Sequence, residues 1–188
     1  MTRDGKPFVS TTDSRIGVLA DTHNNESHLD AALRIFRANG IERLIHCGDV
    51  TSPLILERFT GFEVWLVRGN NDYDWMGLRS EARRLGNIHY CGKDAELEFD
   101  QHRIAVCHGD DESLASVLVY SGLYEWVFRG HSHRRDLDLV GSTRILNPGA
   151  LGGRHPHGED RSVAVVDLHA VASRFITLDS VTPPGHRA

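Results

Sequence analysis

The stretch Leu66-Val67-Arg68-Gly69-Asn70-Asn71-Asp72 is an apolar run that stops at a glycine and passes into two asparagines and an aspartate. Turn chemistry accounts for such an ending, because Gly takes positive φ and Asn or Asp can bond its own backbone. Four other strand-like runs pass in the same way into Asp or His, after Ala20, Cys47, Cys107 and Phe128. The recurrence turns a local feature into a question about what the strand ends hold.

Residues 16–20 form a short apolar run of buried-strand type. Ser27 then reads as a helix cap before Leu29, Ala32, Leu33 and Phe36 on one face, with Asn39-Gly40 as the stop. Residues 44–47 give a second strand, Pro53 opens a short helix through Phe59, and residues 64–67 give a third strand. Strand, helix, strand, helix, strand implies right-handed crossovers and a mainly parallel sheet. Beyond Gly86 the runs shorten, with strands expected at 88–90, 95–99, 103–107, 126–128, 137–140, 144–146, 163–166 and 175–178 and one helix around 114–120. That count fits two sheets packed face to face with helices outside. Residues 1–14 read as a flexible N-terminal segment, 15–179 as a single domain, 152–160 as one long loop, and 180–188, with Pro183-Pro184-Gly185, as a flexible tail.

The chain has 188 residues, enough for one sizeable core, with 40% apolar and 25% charged residues as in ordinary globular proteins. It has no run of membrane-spanning length and opens with no secretory leader, so a cytoplasmic location is expected. A net charge of −5 argues against general binding to nucleic acid backbones. Cys47, Cys91 and Cys107 are odd in number and lack zinc-ribbon spacing, which predicts reduced thiols.

Twelve histidines are many for this length, and their positions decide their meaning. Asp21 and His23, Asp49, Asn70 to Asp72, His108, and His131 and His133 all stand at the ends of apolar runs. In an open α/β sheet the loops at the carboxyl ends of parallel strands converge on one crevice. Carboxylate, amide oxygen and imidazole without thiolate suit Mn²⁺, Fe²⁺ or Zn²⁺ better than Ca²⁺. The i, i+2 pairs Asp21/His23 and His131/His133 point to one side of an extended segment. Seven such donors, one of them a bridging carboxylate, can hold two ions about 3.5–4 Å apart, the arrangement used for in-line displacement at phosphorus.

The motifs D-x-H, G-D, G-N, H-G and G-H-x-H, in that order over about residues 15–150, resemble the calcineurin-like metallophosphoesterases. Short length, Asn70-Asn71-Asp72, and Leu146-Asn147-Pro148-Gly149-Ala150 are similar to the small YfcE-type phosphodiesterase branch. The resemblance implies a four-layer α/β/β/α sandwich of two mixed sheets flanked by helices. It implies Asp21, His23 and His133 on one divalent metal ion, Asn70, His108 and His131 on a second, and Asp49 bridging them. Mn²⁺ is the favoured ion, with Fe²⁺, Zn²⁺ or Ni²⁺ as alternatives, and a metal-activated hydroxide would attack a small phosphodiester. Asn71 stands where many relatives carry a catalytic histidine. Its amide is expected to meet a phosphoryl oxygen, with Asp72 beside it in substrate binding. His46 is expected as a structural histidine or as a partner behind the ligands. The loop of His155 and His157, which follows Asn147-Pro148-Gly149, is read as bordering the pocket, and Arg154 as a solvated arginine, with contact to a substrate phosphate as the alternative. A monomer or small homo-oligomer is expected. Two other readings stay open: a protein-binding scaffold, since a retromer subunit shares the fold, and a phosphomonoesterase acting on a nucleotide or phosphoprotein.

Overall fold

The computed structural model describes residues 14–154 and 160–178. The expectations for the two ends of the chain, His155 and His157 lie outside the described residues.

Among the described residues eleven strands are present, in the places expected: β1 (Arg15–Leu19), β2 (Arg43–His46), β3 (Glu63–Val67), β4 (Ile88–Gly92), β5 (Asp94–Phe99), β6 (His102–Cys107), β7 (Trp126–Phe128), β8 (Arg135–Val140), β9 (Thr143–Pro148), β10 (Ser162–Asp167) and β11 (Ala172–Thr177). The helices are α1 (Glu26–Ala38), a 3₁₀ helix (Pro53–Phe59), α2 (Trp75–Leu85) and α3 (Glu112–Tyr120). Helix α2 is an addition to the sequence reading. Asp74 caps its start by accepting from the Gly77 N–H, and Gly86 at φ +78° ends it. At the start of α1, Asn25 caps in place of Ser27, accepting the His28 N–H at 3.1 Å. Ser27 instead donates its hydroxyl to that same Asn25 oxygen at 3.0 Å.

One sheet runs β11-β10-β1-β2-β3-β4, parallel from β1 to β4 and antiparallel through β10 and β11. The other runs β5-β6-β7-β9-β8, parallel from β6 through β7 to β9 with antiparallel strands on both edges. Three apolar layers separate four layers of structure, because side chains alternate between the faces of each strand. Leu19, Leu44 and Leu66 meet α1 and the 3₁₀ helix through Leu29, Phe36, Ile55 and Phe59 on the outside of the first sheet. Ile16, Val18 and Ile45 face Val106, Trp126 and Phe128 between the sheets. Ala105, Val127 and Ile145 pack under α3. The result is the expected four-layer α/β/β/α sandwich of two mixed sheets flanked by helices.

Gly17 shows how tightly α1 sits on β1. A Cβ there would lie 2.6 Å from both Leu44 Cδ2 and Phe36 Cε1. Gly17→Ala is therefore expected to destabilise the fold by about 1–3 kcal/mol, the usual cost of overpacking. Urea unfolding of the two proteins measures the difference.

Candidate metal centre

The parallel strands of both sheets deliver their carboxyl ends to one edge of the sandwich, where five loops meet and backbone bonds tie the loop after β1 to the loop after β2 and the loop after β6 to the loop after β7. The Asp21 N–H donates to the Gly48 carbonyl at 3.0 Å, the His23 N–H to the Asp49 carbonyl at 2.9 Å, and the Gly130 N–H to the His108 carbonyl at 2.8 Å. Asp21, His23, Asn24, Asp49, Thr51, His131 and His133 all adopt the left-handed region, with φ from 45° to 73°. Left-handed non-glycine residues are uncommon and cluster where function demands a particular side-chain direction. Glycines supply the remaining room. A Cβ on Gly130 would stand 2.7 Å from Asp21 Oδ2, and one on Gly153 2.7 Å from both His133 Cε1 and His23 Cδ2.

Two groups of donors result. In the first, His23 Nε2 and His133 Nε2 lie 3.2 Å apart, and Asp21 Oδ1 is 3.9 Å and 3.4 Å from them. In the second, Asn70 Oδ1 is 3.0 Å from His108 Nε2 and 3.1 Å from His131 Nδ1. Asp49 Oδ2 stands between the groups, 3.6 Å from His23 Nε2 and 3.4 Å from His108 Nε2. All seven residues named from the sequence thus meet: five of them form two His/Asp clusters, Asp21, His23 and His133, and Asp21, Asp49 and His108, and Asn70 and His131 stand beside His108.

The donors fit a bound cation on three counts. Asp21 Oδ2 accepts the His131 N–H at 3.0 Å, yet Oδ1 is buried without a hydrogen-bond partner. A buried carboxylate oxygen without a partner is costly unless a cation meets it. The Nδ1 of His108 donates to the Cys47 carbonyl at 2.7 Å, and that of His133 to the Arg154 carbonyl at 2.5 Å. Each ring is thereby turned so that Nε2 faces the centre, the support usual for ligating imidazoles. Finally, burial disfavours a charged His108, but the hydrogen bond to Asp49 and the fields of Asp21 and Asp49 prevail and raise it to about 9. Burial likewise opposes the charge of Asp49, whose carboxyl is nonetheless held well below the usual range by His108 and by two bonds from Asn71. The carboxylates thus draw positive charge into the site.

Asn71 and Asp72 are both bonded to the neighbouring loop. The Asn71 backbone N–H donates to Asp49 Oδ1 at 2.8 Å and its Nδ2 to Asp49 Oδ2 at 2.7 Å. Asp72 is only 1% exposed, and its oxygens accept the N–H groups of Asp49 at 3.0 Å, Thr51 at 2.7 Å and Gly69 at 2.8 Å. Its carboxylate ties the loop after β2 to the loop after β3. Arg154 serves the site through its carbonyl.

Two further supports bore weak sequence signals. His46, fully buried, accepts the Gly48 N–H at Nδ1 at 3.2 Å, which leaves Nε2–H to donate to Thr22 Oγ1 at 2.7 Å. Burial lowers its pKa to about 3, and the neutral ring links the first two loops. Asn147 donates to the Gly130 carbonyl at 2.7 Å and to Ser132 Oγ at 3.0 Å, holding the loop of His131 and His133. The motif around Asn147 was visible in the sequence, but its bonding was not.

With this geometry in place, the chain belongs to the calcineurin-like phosphoesterase superfamily, whose domain model matches residues 15–170. It is a hydrolase of the phosphoesterase class. A phosphodiesterase of Methanocaldococcus jannaschii is 28% identical over 141 residues, 74% of this chain and 85% of its own. The solved structure of an archaeal phosphodiesterase superposes with a TM-score of 0.79 at 26% identity, covering 87% of this chain and 99% of the other. YfcE, a phosphoesterase from E. coli, shares the fold with a TM-score of 0.64 at 17% identity, covering 87% and 99%.

Asp72→Asn puts an NH₂ where backbone N–H groups need acceptors. A loss of about 1–3 kcal/mol in folding stability is expected, the penalty for buried groups left unmatched. Thermal or urea unfolding of the metal-free protein reads it directly, apart from any effect on cation binding.

Proposed function

We propose that the protein is a phosphodiesterase that works with two divalent cations on a small diester. The observation that carries this reading is the position of Asp49 Oδ2 between two imidazole-bearing groups, beside the partnerless Asp21 Oδ1. Asp21, His23 and His133 hold one cation, Asn70, His108 and His131 the other, and Asp49 is shared. Oxygen and imidazole donors without thiolate suit Mn²⁺, with Fe²⁺, Zn²⁺ and Ni²⁺ as competitors. When bound, the cations supply an acidified water and positive charge against the phosphoryl oxygens.

This chain's own residues do the rest. The carbonyls of Cys47 and Arg154 keep protons on Nδ1 of His108 and His133, so the Nε2 lone pairs stay directed inward. Asn71 fixes both oxygens of Asp49 and with them the orientation of the shared ligand. Position 71 offers no acid to protonate a departing alkoxide, since an amide does not titrate near neutral pH. Esters with acidic leaving groups are the matching substrates. The relative named as a phosphodiesterase supports the diester over the monoester reading. The full set of seven donors supports an enzyme over a scaffold, which needs none of them. Among the described residues no helix is long and apolar enough to cross a membrane, and Cys47, Cys91 and Cys107 are unpaired, which supports a place in the cytoplasm.

Elemental analysis after Mn²⁺ loading is expected to find two ions per chain in wild type, one in His133→Ala, and a loss at both sites in Asp49→Asn. A wild type that never exceeds one ion contradicts the scheme. Bis(4-nitrophenyl) phosphate is expected to turn over faster than alkyl phosphomonoesters under the same loading, and the reverse order excludes the diester reading.

Asn71→Ala frees Asp49 while leaving every ligand in place. Cation affinity should fall by about 10–100-fold, the usual cost of losing a support behind a ligand. Titration of the metal-free variant with Mn²⁺ tests it, and unchanged affinity with slower turnover would return Asn71 to the role of a substrate contact.

A further inference from the structure

A cavity of about 220 Å³ opens beside the second donor group, lined by Arg68, Asn70, Lys93, His108, Asp110 and Asp111 among others. Its walls come from three loops and the first turn of α3, and the close bond from the Arg68 N–H to the Gly92 carbonyl, 2.6 Å, brings Lys93 alongside Arg68. Gly92 at φ +88° makes the sharp passage from β4 into β5, where the chain leaves one sheet for the other. Lys93 is thus placed by the crossover itself.

Both cations have free charge to offer. The Arg68 guanidinium lies 5.8 Å above the Trp75 ring, which steers it without neutralising it. Among the described residues, neither Arg68 nor Lys93 has a carboxylate within ion-pair distance, although Arg58, Arg84 and Arg129 on the same molecule all do. The acids of the cavity are placed differently. Asp111 caps α3, accepting the Leu114 N–H at 3.0 Å, and Asp110 is exposed beside it. An anion entering this cavity is drawn to the Arg68 and Lys93 wall and turned away from the wall of Asp110 and Asp111. Because Asn70 and His108 line the same cavity, a molecule held at the reacting phosphorus reaches it without leaving the site.

We infer that Arg68 and Lys93 form a subsite for a second phosphate, carried by the non-leaving arm of the diester. This inference rests on the phosphodiesterase reading and narrows its substrate class to diesters that bear a further phosphomonoester group. Arg takes such a group through paired N–H donors and Lys as a point charge.

Two probes differ only in that group: the 4-nitrophenyl diester of thymidine 5′-phosphate, and the same diester with a phosphate on the 3′-oxygen. Wild type is expected to prefer the phosphorylated probe by about tenfold or more in kcat/KM, chiefly through a lower KM, as charge-assisted bonds predict. Arg68→Ala, and separately Lys93→Ala, should move that ratio toward one. A wild type indifferent to the added phosphate overturns the subsite, as do variants that slow both probes by the same factor with the ratio intact. If neither probe is cleaved, the phosphodiesterase reading fails by itself, and calorimetry then decides the subsite. Thymidine 3′,5′-bisphosphate should bind wild type about tenfold tighter than thymidine 5′-monophosphate, with the gap closed in the Arg68→Ala/Lys93→Ala double variant. Equal binding of the two nucleotides by wild type overturns it.

Discussion

Asp49 places a carboxylate that is 1% exposed among imidazoles from two directions, and the rest of the molecule is arranged so that it can stay there. Two buried acids, Asp21 and Asp49, side by side would repel each other and lose part of their hydration, a cost of several kcal/mol per ion without compensation. Without cations the compensation is partial: His108 takes up a proton and Asn71 covers both oxygens of Asp49. Asp21 Oδ1 keeps no hydrogen-bond partner at all. A cluster so short of positive charge is a binding site for cations before any reaction is considered.

Holding the donors at the required directions strains the backbone. Seven residues of the centre are left-handed without being glycine, and glycines at 69, 130 and 152 let neighbouring loops approach closer than a Cβ allows. The stability that supports this lies in the three apolar layers, where Phe36, Phe59, Trp126 and Phe128 are almost wholly buried. The division of labour follows from the topology. Strands fix the origin of each loop, and side-chain bonds from His46, Asp72 and Asn147 fix what strand geometry leaves free.

The fold was legible because the buried strands are short apolar runs closed by Gly, Asp or His, down to the three residues of β7. Helix α2 escaped notice because only Leu78 and Ala82 of its eleven residues are buried, with Gly77 inside its first turn. The site was legible through residue types and order, since no common structural need places Asp, His and Asn at five strand ends. Direction was not legible. Asp72 and Asn71 look like pocket residues in the sequence, yet whether a polar side chain turns to solvent or back to the neighbouring loop depends on φ and on partners more than twenty positions away.

The three consecutive polar residues after Gly69 therefore divide one task by depth. Asn70, exposed, presents its oxygen to His108 and His131. Asn71, half-buried, turns toward Asp49 and fixes its orientation. Asp72, buried, fastens the peptide groups beneath both. Each position needs a different property: an oxygen free to face a cation, an N–H pair to clasp a carboxylate, and a carboxylate to collect backbone donors. A histidine at position 71 would offer a ring N–H in place of the amide NH₂ that reaches Asp49 Oδ2, so a gained proton donor would come with a less firmly held Asp49. Asn71 is committed to both oxygens of Asp49, and its amide holds no proton that titrates near neutral pH.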